Sequence, residues 1–363
     1  ISDLNKFYSL ENLNKETIDS FRVAISNIKK YHEKQIPKNY EIINNHTKLK
    51  SIWKPMDSVG LYIPGGNAVY PSSLIMTVIP AQIAGVKRIV CATPPSDNLN
   101  PYVAFLLDEL NINEVYQVGG AQAIAALTYG TKTIKSVNKI FGPGNAYVSS
   151  AKKQVFGKVG IDLIAGPSEI IVVADESNNP EWVASDLMAQ AEHDENAQSI
   201  LITNSNSFGN KVLNHINDLS KTVSKSKTIN LSLKKNGLII EMNDLTSSYE
   251  IINYIAPEHL HLQAREKDII LNKVNNAGGI FLGDYSSEAF GDYVVGTNHV
   301  LPTAGAAKFS SGLGVIDFMK KSSLVEMNRL GFDLLAKHVE NIANVENLDS
   351  HKLSVKIRQT KKN

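Results

Sequence analysis

The chain has 363 residues, with 37 Lys and Arg against 36 Asp and Glu, 43% hydrophobic residues and one cysteine. That length predicts two or three domains with ample core, and the near-zero net charge leaves no footprint for a nucleic-acid partner. Cys91 alone excludes an internal disulfide and predicts a reducing, cytoplasmic setting, while no apolar run nears the ~20 residues needed to span a bilayer, so no membrane partner is expected.

The chain opens on Ile1 rather than Met, which points to an N-terminal piece beyond it. Ile18, Phe21, Ile25, Ile28 and Tyr31 recur at helical spacing and predict an amphipathic helix over 16–34. From Val59, short apolar runs bounded by Gly and Pro alternate with helical patterns. Strands are predicted at 60–63, 88–91, 114–118 and 139–141, and helices near 72–84, 101–110, 120–129 and 146–155. A second block begins at Glu169, with a strand at 170–174, a helix over 180–193 and a strand at 199–203. Helices near 207–224 and 244–254 then flank a strand at 238–242. Each block starts with a Gly/Pro turn beside its first strand, Ile63-Pro64-Gly65-Gly66 and Ala165-Gly166-Pro167-Ser168, as a duplicated unit would. Beyond about residue 325 a helix near 331–344 is followed by a polar segment and by the alternation Leu353, Val355, Ile357, which predicts an extended stretch.

The fold class is therefore α/β: two related strand-helix-strand domains, Rossmann-like but incomplete, with parallel-rich sheets and a small C-terminal helical and extended appendage. The expected bounds are an N-terminal helical segment at 1–58 belonging to the first α/β domain, α/β domains at 59–160 and 161–325, and a tail at 326–363.

Three segments carry side chains suited to chemistry. Gln190 and His193 stand three apart near the end of the helix over 180–193 and share a face, which makes them either converging ligands or surface and capping residues. Glu192 between them reads as a solvated acid. Pro257 fixes the backbone before Glu258 and His259, and in a turn both side chains line one cavity as an acid-base pair, whereas an extended strand would point them apart. His261 reads as structural. The run 291–299 is rich in Gly and short polar residues; Asp292 offers an oxygen ligand and His299 a nitrogen, the alternative being a long turn in which Asp292 caps a helix. No dinucleotide fingerprint of three spaced glycines, HExxH, P-loop or GxSxG motif occurs, and Cys91 reads as packing in an apolar strand.

Taken together, the segments closely resemble the L-histidinol dehydrogenase family. The resemblance rests on VGLYIPGG at 59–66, VGGAQAIA at 118–125, FGPGNAY at 141–147, AGPSE at 165–169, ASDLMAQAEH at 184–193, APEHL at 256–260 and the run 291–303, in family order across nearly the whole chain. It implies oxidation of L-histidinol to L-histidine by two successive hydride transfers, each to NAD, through a bound aldehyde-level intermediate. It further implies a homodimer with one zinc ion per subunit, held by Gln190, His193 and Asp292 together with His351 of the partner subunit. His351 lies in LDSHK at 348–352, a shorter match. By the same resemblance His259 takes the alcohol proton and Glu258 activates the water that adds to the aldehyde. Ser168, His299 and Glu346 join the metal ligands and His259 in the substrate pocket, and Tyr62, Gln122 and Asn145 bind NAD. The family normally carries several dozen more residues ahead of the opening helix. The mechanistic rival is a zinc hydrolase in which Glu258 and His259 activate water against an amide or ester. The non-catalytic rival is a metal-stabilised binding protein, against which an intact Glu258 and His259 count.

Overall fold

A computed structural model describes residues 4–65, 70–96, 99–164 and 166–360, so Gly66 and Ala165 of the two expected turns lie outside the described residues. The chain divides into a unit of Ile1–Ile36 with Met56–Phe318 and a second unit of Pro37–Pro55 with Met319–Asn363.

The opening helix, α1 (Lys15–Glu33), is capped by Asn14, whose side chain accepts from the Thr17 N–H at 3.0 Å, and it buries Ile18, Ala24, Ile25 and Ile28. The next two strands, β1 (Tyr40–Ile43) and β2 (Thr47–Pro55), pair as an antiparallel hairpin and belong to the second unit.

The first sheet follows: β3 (Ser58–Tyr62), β4 (Arg88–Thr93), β5 (Glu114–Gln117), β6 (Lys139–Phe141) and β7 (Gly160–Ile161). All are parallel, in the order β5-β4-β3-β6-β7. They are joined by α2 (Pro71–Ala84), α3 (Pro101–Glu109), α4 (Gly120–Tyr129) and α5 (Ala146–Val155). Proline opens α2 and α3, where its missing N–H costs nothing, and Gly85 ends α2 in the left-handed region at φ 85°. Cys91 in β4 is wholly buried, and burial pushes its thiol well above the ordinary range, which fits packing and no nucleophile.

The second sheet repeats the plan with β8 (Glu169–Val173), β9 (Gln198–Thr203), β10 (Leu238–Glu241), β11 (His259–Leu262) and β12 (Gly279–Leu282), again all parallel, in the order β10-β9-β8-β11-β12. In each sheet the first strand is central and the fourth lies beside it, so the two α/β regions share one topology. The connecting helices are α6 (Pro180–Ala191), α7 (Asn206–Leu219), α8 (Ser226–Asn236), α9 (Tyr249–Ile255) and α10 (Lys267–Leu271), and α11 (Glu288–Tyr293) follows the last strand. Ile170 and Val172 of β8 join the core beneath α6, α7 and α8, while Ile171 and Val173 join the one beneath α9 and α10. Both faces are covered, as a parallel sheet requires.

In the second unit β13 (Met319–Met327) pairs antiparallel with β2, and α12 (Arg329–Val345) and α13 (Asp349–Thr360) complete it. Two expectations are corrected here. Residues 37–55 leave the first α/β domain, β2 pairing with β13 and β1 with β2; β1 is four exposed residues and β2 interleaves lysines with partly buried apolar residues, so neither gives a long apolar run to read. The stretch around Leu353, Val355 and Ile357 is helical. Three alternating residues are too few to set a period, and this run lacks Gly and Pro, carries Leu, Lys, Arg and Gln, and opens with Asp349 in its first turn. The helix expected near 207–224 ends at Leu219, with a turn at 220–225, and α8 (Ser226–Asn236) is not among the expected elements. Among the described residues no helix is long and apolar enough to cross a membrane.

The carboxyl edge of the first sheet turns on Gly142, at φ 109°, where a Cβ would stand 2.1 Å from the Tyr62 carbonyl oxygen. Its N–H donates to Asp162 Oδ2 at 2.7 Å, its carbonyl accepts from Lys152 Nζ at 3.0 Å, and Lys152 and Asp162 form a buried ion pair. Gly142→Ala is expected to lower the thermal unfolding midpoint by roughly 5 °C or more, since both the backbone angle and the contact forbid a side chain. A midpoint equal to that of the parent chain in a calorimetric scan would show that this turn relaxes without cost.

Candidate active site

The site is built on a match of spacing between one strand and one helix. Leu260 and Leu262 of β11 enter the core beneath α9 and α10, so His259 and His261 face α6. Two strand residues advance about 6.6 Å and four helical residues about 6 Å. Asp186 and Gln190 on α6 therefore fall opposite His261 and His259 in turn. His261 Nδ1 lies 3.1 Å from Asp186 Oδ2, and its Nε2 meets the Gly283 carbonyl at 2.9 Å, so that nitrogen carries a proton. Gln263 closes this network by donating to Asp186 Oδ2 at 2.8 Å, and all three side chains are buried. His261 is structural, as its reading from the sequence holds.

One step along, the Gln190 amide meets three acceptors: Glu288 Oε2 at 3.2 Å, the Glu169 carbonyl at 3.2 Å and His259 Nδ1 at 2.9 Å. With its nitrogen at that corner the amide donates to the Glu288 carboxyl and the Glu169 carbonyl, whereas its oxygen there would face both of those acceptors; His259 Nδ1 itself lies 3.3 Å from the Glu169 carbonyl. The helix ends at Ala191, two residues short of His193, yet the His193 N–H donates back to the Gln190 carbonyl at 3.2 Å and keeps the side chain near the same end.

Glu258 and His259 converge because the chain turns sharply between α9 and β11. Ala256 caps α9 in the left-handed region at φ 56°, Pro257 follows, and Glu258 stands just ahead of the strand. Its Oε2 lies 3.7 Å from His259 Nδ1 and accepts from the Glu169 N–H at 3.1 Å. From the other side α11 presents Glu288 and Asp292, one helical turn apart, with Glu288 Oε2 3.9 Å from His259 Nδ1 and Asp292 Oδ1 3.6 Å from His259 Nε2. Gly291 between them admits Phe281, whose ring a Cβ would meet at 2.6 Å. The loop expected at 291–299 thus begins inside a helix, and Asp292 sits within that helix rather than capping one.

Three buried carboxylates around one imidazole set the electrostatics. Burial raises Glu258 to about 7 and Glu288 to about 8, the His259 charge offsetting part of each rise. Burial works against a charged His259, but Asp292, Glu258 and Glu288 together push it up to about 10. Asp292 moves the other way: burial is overcome by His259, and His299 and His193 add to the lowering.

His299 bridges the two α/β regions. Its Nδ1 meets the Asp292 carbonyl at 3.0 Å and its Nε2 lies 3.3 Å from Ser73 Oγ in α2, while Asn298 donates to the Met76 carbonyl at 2.7 Å. Ser168 lies half-buried directly before Glu169, its carbonyl accepting from the Gln198 N–H at 2.9 Å. Tyr62, Gln122 and Asn145 lie at the carboxyl edge of the first sheet. Tyr62 ends β3 and its hydroxyl accepts from the Gly120 N–H at 3.1 Å; Gln122 is exposed in the first turn of α4; Asn145 caps α5, accepting from the Tyr147 and Val148 N–H groups at 3.1 Å. In the second unit, Glu346 ends α12 and His351 occupies the first turn of α13, both exposed.

The histidinol dehydrogenase family model matches residues 3–359. The chain belongs to the histidinol dehydrogenase family. It is 47% identical over 344 residues to histidinol dehydrogenase of Brucella suis and 46% identical over 346 residues to that of Rhizobium meliloti, covering 94% of this chain and 80% of each relative. The crystal structure of histidinol dehydrogenase from Elizabethkingia anophelis superposes with a TM-score of 0.93 at 36% identity, covering 98% of this chain and 82% of that one. Membership makes the chain an oxidoreductase and implies a place in histidine biosynthesis.

Histidinol dehydrogenase motifs draw attention to Glu258, His259 and Asp292 but pass over three acids that the structure adds. Glu169 ends the AGPSE run, and its Oε2 is buried without a hydrogen-bond partner, as is His259 Nε2. Glu288 and Asp186 lacked a motif, though their signal was present: each stands four residues before a singled-out residue on a helix face. Among the described residues no three His, Cys, Asp or Glu side chains are arranged to hold a metal ion. The donor set that does gather is mixed, an amide, an imidazole and a carboxylate, and such N/O donors with room for more ligands fit zinc once further donors arrive.

The Asp186 network generates one expectation. Asp186→Leu removes the acceptor of Gln263 and the anion beside His261, and should cost about 2–4 kcal/mol in denaturant unfolding of the metal-free protein. A loss below about 0.5 kcal/mol would show that the network adds nothing to stability.

Proposed function

We propose that this chain oxidises L-histidinol to L-histidine with two molecules of NAD, as a zinc-dependent homodimer. The observation that carries the reading is the convergence of Glu258, His259, Gln190 and Asp292 in one buried cluster, on a chain of this family. Gln190, His193 and Asp292 would hold the zinc ion. The fourth protein ligand would be His351 of the partner subunit. When bound, zinc supplies a Lewis acid and a positive charge that anchors the substrate's imidazole and amino nitrogens. NAD supplies the hydride acceptor for both oxidations, with Tyr62, Gln122 and Asn145 as its contacts.

The chain's own residues manage the protons. With the zinc charge offsetting the carboxylates that otherwise favour its protonated form, His259 would accept the alcohol proton through Nε2, the buried ring nitrogen that has no hydrogen-bond partner. Glu258, raised to about 7 by burial, is poised to take a proton from the water that adds to the aldehyde carbon. Its Oε2 lies 3.7 Å from His259 Nδ1, close enough for the charge on either group to favour loss or gain of a proton on the other. The overall change is alcohol plus water plus two NAD giving the carboxylate, two NADH and three protons. Ser168, His299 and Glu346 complete the substrate pocket in this reading. Phe281 lies tilted beside His259, with ring centroids 6.0 Å apart.

The deciding assay is NADH formation from L-histidinol by the purified chain, before and after chelation and zinc restoration. About two NADH per histidinol, abolished by chelation and restored by zinc, is the expected result. A folded, zinc-loaded dimer that makes no NADH would overturn the reading and favour hydrolysis.

Two substitutions separate the proton-handling roles. His259→Asn should keep zinc and substrate binding and lower kcat for histidinol by roughly 10²–10⁴, and undiminished turnover would remove His259 from its role. Glu258→Gln should slow oxidation of the aldehyde more than oxidation of the alcohol in single-turnover measurements. Equal losses in both steps would count against a separate water-activating role.

A further inference from the structure

We propose that Glu288 is a positioning residue that aims Gln190 at the metal. The inference rests on the zinc reading above and adds a residue that the family motifs leave without a role.

An amide ligand has an ambiguity that a carboxylate or imidazole does not. Its two ends are nearly the same size, but only the oxygen has a lone pair to offer a cation. A half-turn about the last side-chain bond changes no packing and abolishes ligation, so something must hold the nitrogen in place. At Gln190 that corner is built from Glu288 Oε2 at 3.2 Å, the Glu169 carbonyl at 3.2 Å and His259 Nδ1 at 2.9 Å. His259 Nδ1 accepts only while its proton resides on Nε2; when Nε2 is free to take a proton, Nδ1 carries one and faces the Glu169 carbonyl at 3.3 Å, so it drops out as a partner of the amide. The Glu169 carbonyl and Glu288 carboxyl accept in every state, and of these two only Glu288 is a side chain.

The cost of placing that carboxyl supports the assignment. Glu288 is 2% exposed, and a buried acid without a donor is expensive. Its hydrogen-bond donor is the Gln190 amide, and Gln190 is fully buried as well. Glu288 also shares a helix face with Asp292 at one turn's spacing on α11. One short helix thereby supplies a ligand of its own and fixes the orientation of a ligand on α6. Outer partners of this kind typically change metal affinity by about 10–100-fold when removed.

The test measures zinc affinity by competition with a chromophoric chelator, on full-length dimers, together with the visible spectrum of the cobalt-substituted protein. Glu288→Leu, similar in volume and without an acceptor, should weaken zinc binding by about 10–100-fold and alter the cobalt spectrum. Glu288→Gln keeps an acceptor oxygen and should remain within about threefold of the parent. In a Gln190→Ala background, Glu288→Leu should add no further loss, because its effect travels through Gln190. Where the leucine variant does not fold, Glu288→Asp, which withdraws the acceptor by one methylene, provides the same comparison with an intermediate loss. The proposal is overturned if the folded leucine or aspartate variant binds zinc like the parent, if Glu288→Gln is as weak as Glu288→Leu, or if the losses at 190 and 288 add in full. Failure of the parent protein to bind zinc at all would instead overturn the metal reading, and this inference with it.

Discussion

The molecule's central problem is negative charge out of water. Glu258, Glu288 and Asp292 are each less than a tenth exposed, and all three approach His259 within 4 Å. One imidazole cannot balance three carboxylates, so burial leaves Glu258 and Glu288 raised toward neutrality, while the three acids push His259 up against the burial that opposes its charge. Proteins do not collect such groups for stability, since well-packed apolar residues of the same volume would serve as well or better. A buried surplus of anionic groups around mixed N/O donors makes sense where a cation and a substrate amine complete the balance.

Holding that cluster together falls to rigid elements rather than loops. The match between a four-residue step on α6 and a two-residue step on β11 sets Asp186 against His261 and Gln190 against His259, so one structural pair and one site pair come from the same packing. The Asp186–His261–Gln263 network fixes the register at which α6 meets the strand, and a shift of α6 by one residue would rotate Gln190 away from His259. The other wall is pinned by contacts reaching across the first α/β region, with Asn27 donating to the Val294 carbonyl at 2.9 Å and Asn298 to Met76. Gly296, at φ 120°, lets that loop pass within contact of the α1 backbone, where a Cβ would stand 2.8 Å from the Asn27 carbonyl.

Much of this was legible in the residues, and the exceptions share a cause. The parallel strands were readable because both faces are covered and they appear as uninterrupted apolar runs, Ile170 to Val173 being the clearest. Glu258 and His259 were readable as a pair only because Pro257 signals a turn that defeats the alternation of a strand. The strands β1, β2 and β13 left no such trace, since β13 lies far in sequence from its neighbour β2, β1 is short, β1 and β13 are largely exposed, and β2 interleaves lysines with its apolar residues. Glu288 was hidden for a similar reason. Its importance comes from meeting α6, about a hundred residues earlier in the chain, and a lone Glu at a helix start reads first as a residue that suits the helix dipole.

The two α/β regions share one topology and are put to use at opposite edges, and helix polarity gives the reason. In each region the helices return antiparallel to the strands, so helix N-termini gather at the carboxyl edge of the sheet and helix C-termini at the amino edge. The carboxyl edge offers free N–H groups and suits anions, which is where Tyr62, Gln122 and Asn145 stand, around the turn at Gly142. The amino edge offers free carbonyls and suits cations. Glu169 and His259 are the first residues of adjacent strands at that edge, and Gln190 and His193 lie where α6 ends above them. On the proposed function, a dinucleotide's phosphates and a metal ion would be served by the same fold used from its two ends. His299, touching Asp292 on one side and Ser73 of α2 on the other, links the carboxyl edge of the first sheet to the amino edge of the second. On the proposed reading, a hydride acceptor would be held at the anion-suited edge and the alcohol anchored at the cation-suited edge that His299 joins to it. A single Rossmann-like sheet binding both ligands at its carboxyl edge would not offer that arrangement.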